Sequence, residues 1–148
     1  SGYQPLGGVF VGRTALNALE RDPDFFLRHG YTYSGHSAVC AAALKNLEII
    51  ERDGLIERAK HVGKRLSDGL HSLAADGVID SVRGAGAIWA AGLKPDQNCV
   101  TIRDNMIKRG VIARSINADT NAFCPPFVIT DQQIDKLLDV FAAAAQGK

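Results

Sequence analysis

The sequence has no apolar run approaching the roughly 20 residues that a membrane-spanning helix needs, so no membrane partner is expected. It also lacks an excess of either charge. Lys and Arg number 17 against 16 Asp and Glu, a net of +1. A basic patch for nucleic acid or a lipid surface is therefore not predicted. Cysteine is scarce: Cys40, Cys99 and Cys124 are an odd, scattered set. They fit a reducing, cytoplasmic compartment better than a disulfide framework. The four histidines share no metal-ligand spacing with them, and no metal site is predicted. No secretory leader, internal repeat or low-complexity linker is read along the chain.

What is present predicts a soluble globular class. Of 148 residues, 46% are apolar and 22% charged. A chain of this length buries roughly 68–70% of its unfolded surface, enough for a core. Residues 5–12 are apolar and bounded by Gly, which predicts a buried strand. Residues 13–20 suit a short helix ended by Asp22-Pro23. Residues 23–30 read as an irregular or briefly helical approach to the next helix. From 37 to 51 the period is helical, with Val39, Ala43, Leu47 and Ile50 on one face, and Asp53-Gly54 breaks it. A second helix spans 55–75. Its stripe is Leu55, Ala59, Val62, Leu66, Leu70 and Leu73, and its solvated face carries Lys60, Lys64 and Arg65.

Strands are predicted over 78–82 and 87–91, joined by a turn at Gly84-Ala85-Gly86. That Gly-x-Gly is not a dinucleotide loop, because a strand comes after it and the third Gly is missing. Asp96 is the expected N-cap of a helix reaching Arg109, with Cys99, Ile102 and Met106 inward and Gly110 past its end. Strands are expected again at 111–116 and 121–124, separated by a turn at 117–120 and stopped by Pro125-Pro126. Thr130 and Gln133 form a capping box for a last helix with Ile134, Leu137, Leu138, Phe141 and Ala145 inward.

The stretch His29-Gly30-Tyr31-Thr32-Tyr33-Ser34-Gly35-His36 carries the chemistry. Hydroxyls, glycine and free backbone N–H groups gather there where a helix begins, and such a place suits a phosphate. The plainer reading of Thr32 is a cap hydroxyl satisfying nearby backbone. The whole string, however, resembles the phosphate-binding segment of class III (omega-type) aminotransferases. Ser1-Gly2-Tyr3-Gln4-Pro5-Leu6-Gly7 resembles a segment that closely follows the cofactor-bonding lysine of that family. Val111-Ile112-Ala113-Arg114 followed by Phe123-Cys124-Pro125-Pro126 resembles the stretch carrying the family's mobile arginine. Two departures are visible: Ser37 stands where Pro is common, and the turn from Asn117 to Asn121 is longer and lacks the usual Gly-Asp.

The resemblance implies an α/β to α+β architecture. Residues 1–60 would close the large domain of a fold-type-I enzyme. Residues 61–148 would form a small domain, a mostly antiparallel sheet with helices on one side. It implies pyridoxal 5'-phosphate as cofactor, with Thr32, helped by Tyr31, binding the phosphate of the neighbouring subunit in a homodimer or dimer of dimers. Arg114 would grip a substrate carboxylate with its planar fork. The reaction implied moves an amino group from an amine or omega-amino acid to a keto acid such as pyruvate. The lysine would lie ahead of Ser1, so the chain is expected to be the C-terminal part of a longer enzyme and inactive alone. Residues 1–36 are expected to be poorly ordered or re-packed unless other chains cover them. The alternatives are a non-catalytic assembly module of the same fold, or an aminomutase or decarboxylase on the same scaffold.

No residue is assigned to catalysis itself. Without the resemblance, Arg114 reads equally as half of a structural ion pair. His36 reads as a cap or packing residue rather than a base. Ser34 fails the Gly-x-Ser-x-Gly elbow of hydrolases. Cys40 and Cys124, in apolar company, read as small hydrophobes, and Trp89 and Tyr33 as core or wall. No lysine here has the desolvated setting of a reactive amine.

Overall fold

The computed structural model describes residues 2–147. The chain divides into two compact units, Ser1–Arg52 and Asp53–Lys148. The division thus falls at the Asp53-Gly54 break, ahead of the second long helix, whereas the sequence pattern puts a boundary inside that helix, after residue 60. The apolar stripe of this helix runs on without interruption through Val62, Leu66 and Leu70, all fully buried in one core.

The first unit holds two helices, α1 (Arg13–Leu19) and α2 (Ser37–Arg52). No described residue of this unit is buried. The strand expected over 5–12 is absent, and Val9 and Phe10 are 89% and 100% exposed. A buried strand needs a neighbouring ladder for its N–H and C=O groups and a surface to lie on. Among the described residues of this unit there is no strand to pair with. The half-buried face of α2 is Val39, Cys40, Ala43, Asn46, Ile49 and Ile50, while Leu47, expected inward, is exposed. Residues 2–6 run along this face and leave a cleft of about 720 Å³ against Val39, Ala43 and Ile49.

The second unit begins with α3 (Leu55–Ala75), preceded by Gly54 at φ +61°. Its end is closed by Gly77 and Val78, whose N–H groups donate to the carbonyls of Ala74 and Leu73. That is the Schellman arrangement, and Gly77 supplies the required left-handed φ of +68°. Strands β1 (Ser81–Ala85) and β2 (Ile88–Gly92) form a hairpin with Ala85 opposite Ile88. The turn is Gly86-Ala87, later than the sequence pattern places it. Gly84 remains a strand residue because the Trp89 ring occupies its missing side chain's place; a Cβ there would lie 2.5 Å from Trp89 Cδ2.

Helix α4 (Cys99–Lys108) is capped by Asn98, whose side-chain oxygen accepts from the N–H groups of Val100 and Thr101 at 3.0 Å. Asp96, the expected cap, does not start it. Gln97 Oε1 accepts from the Lys94 N–H at 2.9 Å and its amide donates to the carbonyls of Val78 and Ala145. Those bonds hold residues 94–97 in a turn, so helical geometry begins only after Asn98. Next come strands β3 (Arg114–Ile116) and β4 (Thr120–Phe123), then α5 (Asp131–Ala145) with the predicted Thr130–Gln133 capping box. β3 is shorter than expected; Val111 and Ala113 are buried but precede the ladder.

The sheet is wholly antiparallel in the order β1-β2-β4-β3. Helix α3 packs on β1 and β2, α4 on β3 and β4, and α5 lies against both helices. Phe123 and Phe141 meet edge to face at 5.0 Å in the middle of this core. None of this unit's three helices packs on the other face of the sheet, and Ile88 and Ile112 on that side are 61% and 85% exposed. Across the helical layer, Asp131 of α5 pairs with Arg58 at 2.9 Å and His61 at 3.0 Å, both on α3. Arg65, expected on the solvated face, instead reaches Asp135 of α5.

Candidate functional site

In the first unit, residues 31–35 form a turn just before α2. The Tyr31 N–H donates to Ser34 Oγ at 3.2 Å, and the Ser34 N–H donates to the Tyr31 carbonyl at 3.0 Å. These bonds close the loop on itself, and Gly35 at φ +69° redirects the chain into the helix. The His36 carbonyl then accepts from the Cys40 N–H, the first helical bond. His29 stacks edge-on against Tyr31, ring centres 5.3 Å apart. Ser34 is thereby a structural hydroxyl and His36 a helix-start residue.

Thr32 lies within this turn. It is exposed, and neither its hydroxyl nor its N–H makes a hydrogen bond among the described residues. No acidic residue lies in the first turn of α2 to neutralise its positive end. Tyr31 is 74% exposed and lines a cleft of about 580 Å³ with Gln4, Leu6, Ser34 and His36. Thr32 does not line that cleft. The two predicted phosphate residues are thus adjacent in one turn, and Tyr31 alone of the two borders the cleft. A hydroxyl and an N–H that are both unspent form a donor set suited to a phosphate dianion, so these residues fit the phosphate of pyridoxal phosphate.

Arg114 belongs to the other unit. It is an exposed residue of β3 on the sheet face opposite α3, α4 and α5, and no ion pair forms on it among the described residues. The predicted alternation holds: Val111 and Ala113 point inward, while Ile112, Arg114 and Ile116 lie on the open side. The isoleucines therefore do not bury the guanidinium. Tyr33, expected as core or wall, is 87% exposed. Cys124, read as a small hydrophobe in apolar company, is exposed because it lies just past the end of β4. Trp89 is half-buried and donates its ring N–H to the Gly86 carbonyl at 2.9 Å. Lys60 and Lys64 pair with Glu57 and Asp68 on the helix surface, with no desolvating pocket around them.

Sequence reasoning passed over Arg83. Strand register places it in one row across the open face: Arg83 opposite Ala90, Ala90 opposite Ala122, Ala122 opposite Arg114. Period-2 alternation from Val82 would have put Arg83 outward, but only the pairing reveals that it shares a row with Arg114.

The Aminotransferase class-III family profile matches residues 2–145. A diaminobutyrate–2-oxoglutarate transaminase from Halomonas elongata is 35% identical, aligned to 93% of this chain and 33% of its own length. A putrescine–pyruvate aminotransferase from Pseudomonas aeruginosa is 32% identical over 93% of this chain and 32% of its own. The solved structure of a transaminase from the marine bacterium Virgibacillus superimposes with a TM-score of 0.87 at 31% identity, covering 99% of this chain and 36% of that one. The chain spans about a third of the length of the curated relatives it matches. With its turn of unspent donors, its small antiparallel sheet and this match along nearly all of its length, the chain belongs to the class III aminotransferases, pyridoxal-phosphate enzymes of fold type I.

Proposed function

We propose that this chain is the C-terminal portion of an enzyme that moves an amino group from an amine or omega-amino acid to a keto acid. The observation that carries the reading is the unspent donor pair on Thr32, within a chain matching the family from residue 2 to residue 145. Bound pyridoxal phosphate supplies the electron sink for such a transfer. Thr32 holds its phosphate through the hydroxyl and N–H, and does so for the neighbouring subunit of a dimer. Its exposure suits a ligand presented by another chain. Tyr31 borders the cofactor from the cleft side. Arg114 holds a substrate carboxylate as a two-pronged donor.

The test is cofactor affinity in the complete polypeptide. Replacing Thr32 by Ala removes a charge-assisted bond worth about 1.5–3 kcal/mol, roughly a ten- to hundredfold loss. Absorbance titration with pyridoxal phosphate reads it directly, and an unchanged affinity defeats the assignment. The 148-residue chain alone is expected to be inactive, since its surface-paired lysines lack the setting of a reactive amine. Transamination by the purified chain, followed as keto-acid consumption, would overturn that.

A further inference from the structure

We infer that Ser115 and Asn121 are positioning residues for Arg114, tying its strand to the first residue of α4 through one shared acceptor. The inference rests on the aminotransferase reading, in which Arg114 holds a substrate carboxylate. Strand β3 is only three residues long and lies at an edge of the sheet, hydrogen-bonded to β4 alone. A ladder opens most easily at so short an edge. A slip of one residue would also turn Arg114 from the open face to the core.

Both weaknesses are met from the helical side of the sheet. Ser115 and Asn121 stand opposite each other in the β3–β4 register. Ser115 Oγ donates to the Cys99 carbonyl at 3.1 Å, and Asn121 Nδ2 donates to the same oxygen at 3.0 Å. Cys99 begins α4, and its own thiol donates to the Asn117 carbonyl at 3.5 Å. Asn117 opens the turn from β3 to β4 and is the one described non-glycine residue at positive φ, +53°. Three bonds at Cys99 thus catch both strands and the turn between them. They fix the register at the residue next to Arg114. The Arg114 side chain lies on the opposite face and stays free to meet a ligand.

Stability alone does not explain Asn121. It is fully buried, and among the described residues no donor meets its Oδ1. A buried acceptor left unmet costs stability, and an apolar side chain would avoid that cost. Its cross-strand neighbour Ala91 is such a residue. What Asn121 offers in return is the bond from its amide to Cys99, which holds β4 where β3 must pair.

The experiment measures kcat/KM in the complete enzyme for pyruvate and for propanal, an acceptor of the same carbon number without a carboxylate. The pyruvate-to-propanal ratio should fall roughly tenfold in Ser115→Ala and in Asn121→Ala, because a small misplacement of a gripping group is costly. The ratio is independent of how much of a preparation folds, and Ser115→Ala decides alone if Asn121→Ala gives no folded protein. In an Arg114→Ala background neither change should lower the ratio further, because the residue they position is gone. An unchanged ratio in Ser115→Ala overturns the inference. So does an equal fall with and without Arg114, which would make the bonds merely structural. If Arg114→Ala alone leaves the ratio unchanged, the substrate role of Arg114 fails and the inference falls with it. If the complete enzyme aminates neither acceptor, it is the aminotransferase reading that fails.

Discussion

At the scale of residues, the fold depends on places where a side chain is missing. Gly63 lies on the buried face of α3, and a Cβ there would meet the Gly86 carbonyl oxygen at 1.9 Å and its carbon at 2.6 Å. Both are backbone atoms of the hairpin turn, which cannot swing aside as a side-chain tip can. Gly63→Ala must therefore separate helix from hairpin. It is expected to destabilise the second unit by about 1–3 kcal/mol, as overpacking does, and chemical denaturation measures it. An unchanged midpoint would mean that helix and turn do not touch at this glycine. Nothing in the sequence announced Gly63, which sits inside a strong helical pattern and reads as a tolerated interruption. Its necessity comes from a turn far along the chain, beyond the end of α3. Arg83 was illegible for a similar reason: its neighbours in space are set by strand pairing, not by its place in the chain.

At the scale of elements, local chemistry explains what the sequence disclosed. The capping box of α5 was readable because Thr130 and Gln133 satisfy each other's backbone within one helical turn. The end of α4 was readable because Gly110 supplies the left-handed residue of a Schellman closure, as Gly77 does for α3. The start of α4 was not, because Gln97 is held by carbonyls of two distant segments. Also invisible was the electrostatic part of the joint between α3 and α5, which lies outside their shared apolar core. Asp131 at the first turn of α5 accepts from His61 and is paired with Arg58, and these partners hold its carboxyl below the ordinary carboxylate range. A lowered folded-state value means that Asp131 adds stability above its unfolded pKa, near about 4, and loses it as pH falls through the folded value. The group is open to solvent, so the effect is modest. Below about pH 4 the unfolding midpoint should fall more steeply in the unmodified chain than in Asp131→Asn. Parallel acid profiles for the two would show that the pairing contributes nothing.

At the scale of the whole molecule, the two units differ in what they bury. Asp53–Lys148 encloses a core from three helices and one sheet face, with Val62, Leu66, Leu70, Met106, Ile134 and Phe141 fully covered. Ser1–Arg52 covers no described residue to that degree, and Tyr3, Val9, Phe10, Phe26 and Tyr33 are each more than three-quarters exposed. Local opening is easiest where few apolar contacts close over the backbone. Residues 3–36 should therefore be the first to open, and limited trypsin digestion of the isolated chain tests it. Arg13, Arg21 and Arg28 should be cut before any basic residue of β1 to α5, leaving a resistant product that retains the sheet. Addition of the remaining polypeptide and cofactor should slow those early cuts, because burying Phe10 and Phe26 against another surface raises the cost of opening there. Resistance ahead of His36 in the isolated monomer, or first cuts within the sheet, would show that the burial pattern does not govern stability in this chain.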